Sequence, residues 1–280
     1  MTETPGATQR RLLLVNGVDP ESSDLFEDMA QHLRGRGLEV GVATGLPAPA
    51  RGEGAYEWDV AVINRNRADV LDQAPVVFGG RAVSRPESLG WLSDAGVATM
   101  DWEVVSSRLA VLGLFRKWGV DRLILKPSWT FGGKDVHVFA RRTVARMQWD
   151  RELDVICKEV NPNDGDIYKV ELIAGRVLVG WMSKSPPIRE QLPNGFGKGL
   201  PGAYGDRSLW EPPVQLRDQL CELSARLTDM HFGHISVDLM KKPDGTFVAI
   251  ELNPRSAAIW WTKQFESFRQ NYTDALYELA

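Results

Sequence analysis

The stretch Ser236–Arg255, SVDLMKKPDGTFVAIELNPR, decides how this 280-residue chain is read. It has the form of two apolar strands joined by a tight turn. Pro243, Asp244 and Gly245 supply the turn chemistry, since proline presets φ and Asp-Gly tolerates the reversal. Asp238 falls in the first strand, and Glu251 and Asn253 fall at the end of the second. Residues i and i+2 of a strand project from one face, roughly 7 Å apart. Glu251 and Asn253 therefore point at one site, and a hairpin can set Asp238 alongside. Two carboxylates and an amide oxygen make a hard-oxygen donor set suited to Mg²⁺. Mg²⁺ prefers one or two carboxylates plus substrate phosphates, so a nucleotide is its natural companion. The alternative is that Asp238 caps a strand and Glu251 is a solvated edge charge. The runs VDLM and FVAIELN weigh against it by placing the acids inside segments that read as buried.

Upstream, Lys126-Pro-Ser-Trp-Thr-Phe-Gly-Gly-Lys134 carries a second piece of chemistry. The strand Arg122–Lys126 ends in a lysine, passes through a glycine loop and returns as an alternating strand to Phe139. Gly132 and Gly133 lack Cβ atoms, so backbone N–H groups can approach phosphate oxygens closely. Lys126 can reach those phosphates as a point charge, and Trp129 and Phe131 can cover them. The competing reading is a plain β-hairpin with a solvated lysine. The loop is not a Walker A motif, whose GxxxxGK[ST] spacing is absent.

Between these pieces, Asp154–Val160, Asp166–Leu172 and Arg176–Met182 read as strands separated by strong turns. They form a plausible nucleotide clamp, with main-chain groups near Glu159 and Val160 reading adenine and Asp166 accepting from ribose. Ser183–Ala203 is a long Gly/Pro-rich loop whose Lys184, Arg189 and Lys198 suit a cover over phosphate or an acidic substrate. A solvated surface loop is the alternative. Glu211–His231 reads as an amphipathic helix with Leu216, Leu220, Leu223 and Leu227 on one stripe. Phe265–Leu279 reads as another. His231 and His234 read as turn or core histidines rather than a zinc pair, because Gly233 breaks helical continuity.

The N-terminal part alternates strand and helix: Leu12–Asn16, Asp24–Arg36, Leu38–Ala43, Trp58–Asn64 and Pro75–Phe78. This implies a small parallel α/β domain to about residue 82. No GxGxxG follows its first strand, so a Rossmann reading is weak. Ser84–Ala95 and Val104–Trp118 read as helices, the second with Val105, Leu109, Leu112 and Phe115 inward.

A net charge of −4 gives no polybasic signature, so nucleic acid is not favoured as a partner. No apolar run approaches the roughly 20 residues of a membrane span. The polar stretch Met1–Arg11 reads as a tail rather than a secretory signal. Cys157 and Cys221 are far apart, which fits a reducing, cytoplasmic compartment.

Lys126, the SWTFGG loop, KEV…GDIYKVE and VDL…IELNPR, in that order, resemble the ATP-grasp superfamily. The likeness runs from about Ser84 to the C terminus and is nearest the RimK-type amino-acid ligases. It implies an α/β ATP-grasp fold: an N-terminal parallel-sheet domain (1–82), a central lobe with the phosphate loop (83–158) and a C-terminal lobe with the metal site (159–280). It implies ATP between the lobes and two Mg²⁺ ions on Asp238, Glu251 and Asn253. Arg85, Lys126, Ser128, Gly132, Gly133 and Lys134 would meet phosphates, Glu159 and Val160 adenine, and Asp166 ribose. Arg255 would face the acceptor carboxylate or the acyl phosphate; Lys184 of the cationic loop is a second catalytic candidate, suited to a further carboxylate on a substrate. Arg85 stands where the family often has lysine, and the stretch after Arg255 lacks the family's usual glycine. The implied activity joins a carboxylate to an amine of an amino acid or peptide through an acyl phosphate. A small-molecule kinase and a nucleotide-binding protein without turnover are the alternatives. A homo-oligomer would match many relatives.

Overall fold

The computed structural model describes residues 10–16, 23–44, 58–63, 74–79, 81–129, 136–146, 154–187, 206–254 and 266–280. The expectations for the N-terminal tail, Gly132, Gly133, Lys134, Arg189, Lys198 and Arg255 lie outside them.

Among the described residues, three sheets organise the fold. The first is parallel, in the order β2-β1-β3-β4: β1 (Arg11–Asn16), β2 (Glu39–Thr44), β3 (Val60–Ile63) and β4 (Val76–Phe78). Leu12 and Leu14 join one buried cluster with Phe26, Met29 and Leu33 of helix α1 (Ser23–Gly35). Leu13 and Val15 join a second cluster on the other face. Covering both faces explains the unbroken apolar run of β1.

The second sheet is antiparallel, in the order β5-β8-β6-β7: β5 (Trp102–Val105), β6 (Arg122–Lys126), β7 (His137–Ala140) and β8 (Asp154–Cys157). The helix expected over Val104–Trp118 is corrected here. Val104 and Val105 belong to β5, and helix α3 spans Arg108–Lys117. Ser107 caps it, its hydroxyl accepting from the Ala110 N–H at 3.2 Å. That start sets a different phase: Val111, Leu114 and Phe115 are buried, whereas Leu109 is 76% exposed. A short helix α4 (Arg141–Val144) follows β7. The strand expected over Asp154–Val160 stops at Cys157, and Lys158 N–H turns to Asp101 O at 2.9 Å.

The third sheet runs β11-β10-β9-β12-β13: β9 (Ile167–Ile173), β10 (Arg176–Ser183), β11 (Arg207–Leu209), β12 (His234–Lys241) and β13 (Phe247–Asn253), all antiparallel. The edge strand β11 carries no apolar pattern and was not expected from the sequence. Helix α5 (Val214–Asp229) buries Leu216, Leu220, Leu223 and Leu227 against Val170, Leu172, Val237 and Leu239. Helix α2 (Arg85–Asp94) adds Leu89 and Leu92 to the same core. That leaves the opposite face of β9, β12 and β13 for chemistry. Helix α6 (Glu266–Leu279) places Phe268, Tyr272 and Leu276 in the cluster with α1.

Candidate functional site

The β12–β13 hairpin forms as its sequence demands. Gly245 takes φ 88°, and the Asp244 carboxylate accepts from the Thr246 N–H at 2.9 Å. The register pairs Asp238 with Glu251 and Ser236 with Asn253, and shifts between Asp238 and Leu239. Next door, β9 sets Lys169 beside Asp238 and Glu171 beside Ser236. Directly opposed residues share a sheet face. One face therefore presents Glu251, Asp238 and Lys169 in one row, and Asn253, Ser236 and Glu171 in the next.

Asp238 Oδ1, Glu251 Oε1 and Asn253 Oδ1 are buried, and none accepts a hydrogen bond. Asp238 Oδ1 does lie 2.8 Å from Lys169 Nζ, and Glu251 Oε1 lies 3.4 Å from Arg85 Nη1. Both are ion-pair distances with poor hydrogen-bond alignment. Asn253 Oδ1 has neither kind of partner among the described residues. A buried acceptor left unsatisfied costs about 1–3 kcal/mol, and a hard cation would recover it. The donor set fits Mg²⁺. Among the described residues no three His, Cys, Asp or Glu side chains cluster as metal ligands. The fit thus depends on the amide and on oxygens brought by a substrate.

Lys126 ends β6 as a buried side chain. Its Nζ donates to Ile250 O at 3.3 Å and lies 3.8 Å from Met100 Sδ. Burial pushes its ammonium below the ordinary lysine range; Arg85 acts in the same sense, while Glu251 and Asp238 oppose. Burial pushes the neighbouring Cys157 thiol up. Arg85 opens α2 behind the N-cap Ser84. Its N–H donates to Ser128 O at 2.8 Å and its Nε–H to Pro127 O at 3.3 Å. One side chain thus ties the start of the glycine-loop segment to the acid Glu251.

Glu159 and Val160 line a cavity of about 780 Å³ together with Met100, Val120, Pro162 and Val248. Asp166 holds the segment after β10, its Oδ1 accepting from the Ser185 N–H at 3.0 Å. Lys184 is exposed just beyond β10. The structure thus brings Arg85, Lys126, Asp238, Glu251 and Asn253 together, and puts Glu159 and Val160 at a cavity that also meets Met100, the residue beside Lys126 Nζ.

Sequence reasoning missed Lys169 and Glu171. Both are buried charged residues inside the strand DIYKVEL, the signal that marked Asp238 and Glu251. Glu171 Oε1 accepts from Trp181 Nε1–H at 3.3 Å, and Lys169 Nζ lies 5.6 Å from the Trp181 ring centre.

No protein-family model matches the sequence, and no curated protein matches it. Solved structures do. The ATP-grasp ligase PsnB, complexed with minimal precursor, Mg and ADP, matches with a TM-score of 0.64 at 16% identity, over 96% of each chain. The macrocyclase MdnC from Microcystis aeruginosa MRC, bound with precursor peptide MdnA, matches with a TM-score of 0.64 at 11% identity, over 96% of this chain and 98% of that one. The D-cycloserine synthetase DcsG matches with a TM-score of 0.61 at 16% identity, over 95% and 99%. The chain has the ATP-grasp fold.

Proposed function

We propose that the chain is an ATP-dependent ligase that joins a carboxylate to an amine and releases ADP and phosphate. The observation that carries this reading is the set of buried, hydrogen-bond-deficient oxygens of Asp238, Glu251 and Asn253, placed beside Lys126 and Arg85 on an ATP-grasp fold. In this reading residues 83–158 and 159–280 are the lobes around the nucleotide, and 1–82 is the domain that precedes them. Asp238, Glu251 and Asn253 would hold Mg²⁺, two ions, which offsets the charge of the transferring phosphoryl group. Lys126 and Arg85 add fixed positive charge beside it.

A carboxylate is a poor electrophile because its leaving group would be oxide. Transfer of the γ-phosphoryl group to the carboxylate gives an acyl phosphate and ADP. The amine then attacks the acyl carbon, phosphate leaves, and the amine's surplus proton passes to solvent. No side-chain nucleophile is required. PsnB and MdnC were solved with precursor peptides, which supports a peptidic substrate here.

Thermal unfolding with and without Mg-ATP tests the site without knowledge of the substrates. Ligand at about 100 times Kd stabilises by roughly 2.7 kcal/mol, a shift of a few degrees for a chain this size. The expected result is a magnesium-dependent shift that Glu251→Gln abolishes. No shift at millimolar Mg-ATP would overturn the reading. ADP release with paired acids and amines then tests turnover, and a product mass free of phosphorus separates a ligase from a kinase.

A further inference from the structure

Both acids of the proposed metal site already hold a protein cation. Lys169 Nζ lies 2.8 Å from Asp238 Oδ1, and each side chain is only 11% exposed. Arg85 Nη1 lies 3.4 Å from Glu251 Oε1. The arginine reaches in from a helix end, whereas Lys169 is built into the sheet itself, directly beside Asp238 in the β9–β12 register. Its stem rises between Asp238 and the Trp181 ring.

A buried ammonium and a buried carboxylate each cost desolvation energy, repaid only while they stay together. A divalent cation entering at Asp238 breaks that pair. It also leaves Lys169 as a like charge beside the metal. Metal alone therefore meets a built-in competitor. Metal arriving with a polyphosphate does not, because the phosphate oxygens give the displaced ammonium a new anionic partner. Coupling of this kind is reciprocal: whatever the phosphates do for metal affinity, the metal does for nucleotide affinity.

We propose that Lys169 is the resident counter-ion of Asp238 and makes metal binding conditional on nucleotide phosphates, so that metal and nucleotide load together. This rests on the metal and nucleotide reading above. Lys169 is a positioning residue here: it acts on the metal through Asp238.

The test uses the full chain, with Mn²⁺ as a spectroscopic stand-in for Mg²⁺. Free Mn²⁺ is measured by electron paramagnetic resonance on wild type, Lys169→Met, Lys169→Gln and Lys169→Arg, without nucleotide. Removing the charge should tighten nucleotide-free Mn²⁺ binding at least about tenfold, whereas arginine should leave it near wild type. Mn²⁺ alone should also raise the Tm of the methionine and glutamine variants, in which Asp238 has lost its partner, and leave that of wild type unchanged. Adding Asp238→Asn to Lys169→Met should erase both gains, which separates metal competition from a packing role. Two neutral variants guard against one that fails to fold.

ADP binding to wild type, measured by calorimetry with and without Mn²⁺, separates the two ways of failing. Metal-dependent ADP binding, with neutral variants that take up Mn²⁺ no better than wild type, overturns the role of Lys169 and leaves the site standing. Absence of any metal-dependent binding overturns the site, and the proposal with it.

Discussion

Lys126 is a cation held where water barely reaches it. Its ammonium keeps one carbonyl partner, Ile250 O, and burial works against its charge. The free protein gains little from such a group, because desolvation offsets most of the attraction to Glu251 and Asp238. A polyphosphate would change that balance by adding charge-assisted hydrogen bonds of about 1.5–3 kcal/mol. Lys126→Met should therefore weaken Mg-ATP binding by roughly 10- to 100-fold while moving the stability of the free protein by no more than about 1 kcal/mol. Calorimetric titration beside urea unfolding checks both halves; unchanged affinity would remove Lys126 from the site. Residues of this kind were legible in sequence because a charge inside a strand pattern needs a partner. Asp238 and Glu251 stood out on that ground, and Lys126 because its strand ends at a glycine loop. Arg85 did not, since nothing in SRPESLG says that its guanidinium turns back onto Pro127 O and Glu251. Its place came from resemblance alone.

Elements were legible where one periodicity spans them without interruption. The leucine stripe of α5 is one such case, and all four of its members are buried. The α3 region is the opposite case: an apolar strand runs straight into an apolar helix, and only the cap at Ser107 marks the change. The short edge strand β11 carries too little pattern to read, being exposed along its length. It exists because β10 offers an edge, and Trp210 N–H closes on Gly180 O at 2.9 Å. Close approach also fixes the segment carrying Lys184. A Cβ on Gly165 would sit 2.0 Å from Pro186 O and 2.8 Å from Ser185 O. Those are backbone atoms of the stretch that Asp166 anchors through the Ser185 N–H. Gly165→Ala should therefore cost about 1–3 kcal/mol and push that stretch off the start of β9. Gly245→Ala, where φ is 88° but nothing crowds the Cβ, should cost only about 1 kcal/mol. Urea unfolding of the two variants ranks them, and the reverse order would sink the argument from crowding.

At the scale of the whole molecule, one polar chain ties the N-terminal sheet to the site-bearing sheet. His234 opens β12 and is buried. The Ile63 carbonyl at the end of β3 can only accept, so His234 Nδ1 carries the proton and donates to it at 3.3 Å. Nε2 then accepts from the Tyr272 hydroxyl of α6. Burial, with the nearby Glu171 carboxylate, raises the Tyr272 pKa, so the phenol keeps the proton it donates. Three elements far apart in sequence meet on one imidazole, and burial keeps that imidazole neutral. Burial drives the His234 pKa from an ordinary 6.5 down to about 4. The sign follows from proton counting. Between those values the unfolded chain binds a proton that the folded chain refuses. Stability is complete above pH 6.5 and falls as the pH drops towards 4, by a total on the order of 3 kcal/mol from this group. His234→Gln removes the titration, leaving an amide in place of the ring. Wild type should lose more stability than the variant between pH 7.5 and pH 4.5, and the two curves should converge on acidification. Urea unfolding at those two pH values measures the difference, to which carboxylates shared by both proteins contribute equally. Parallel curves would show that His234 is not the group through which acid loosens the contact between the two sheets.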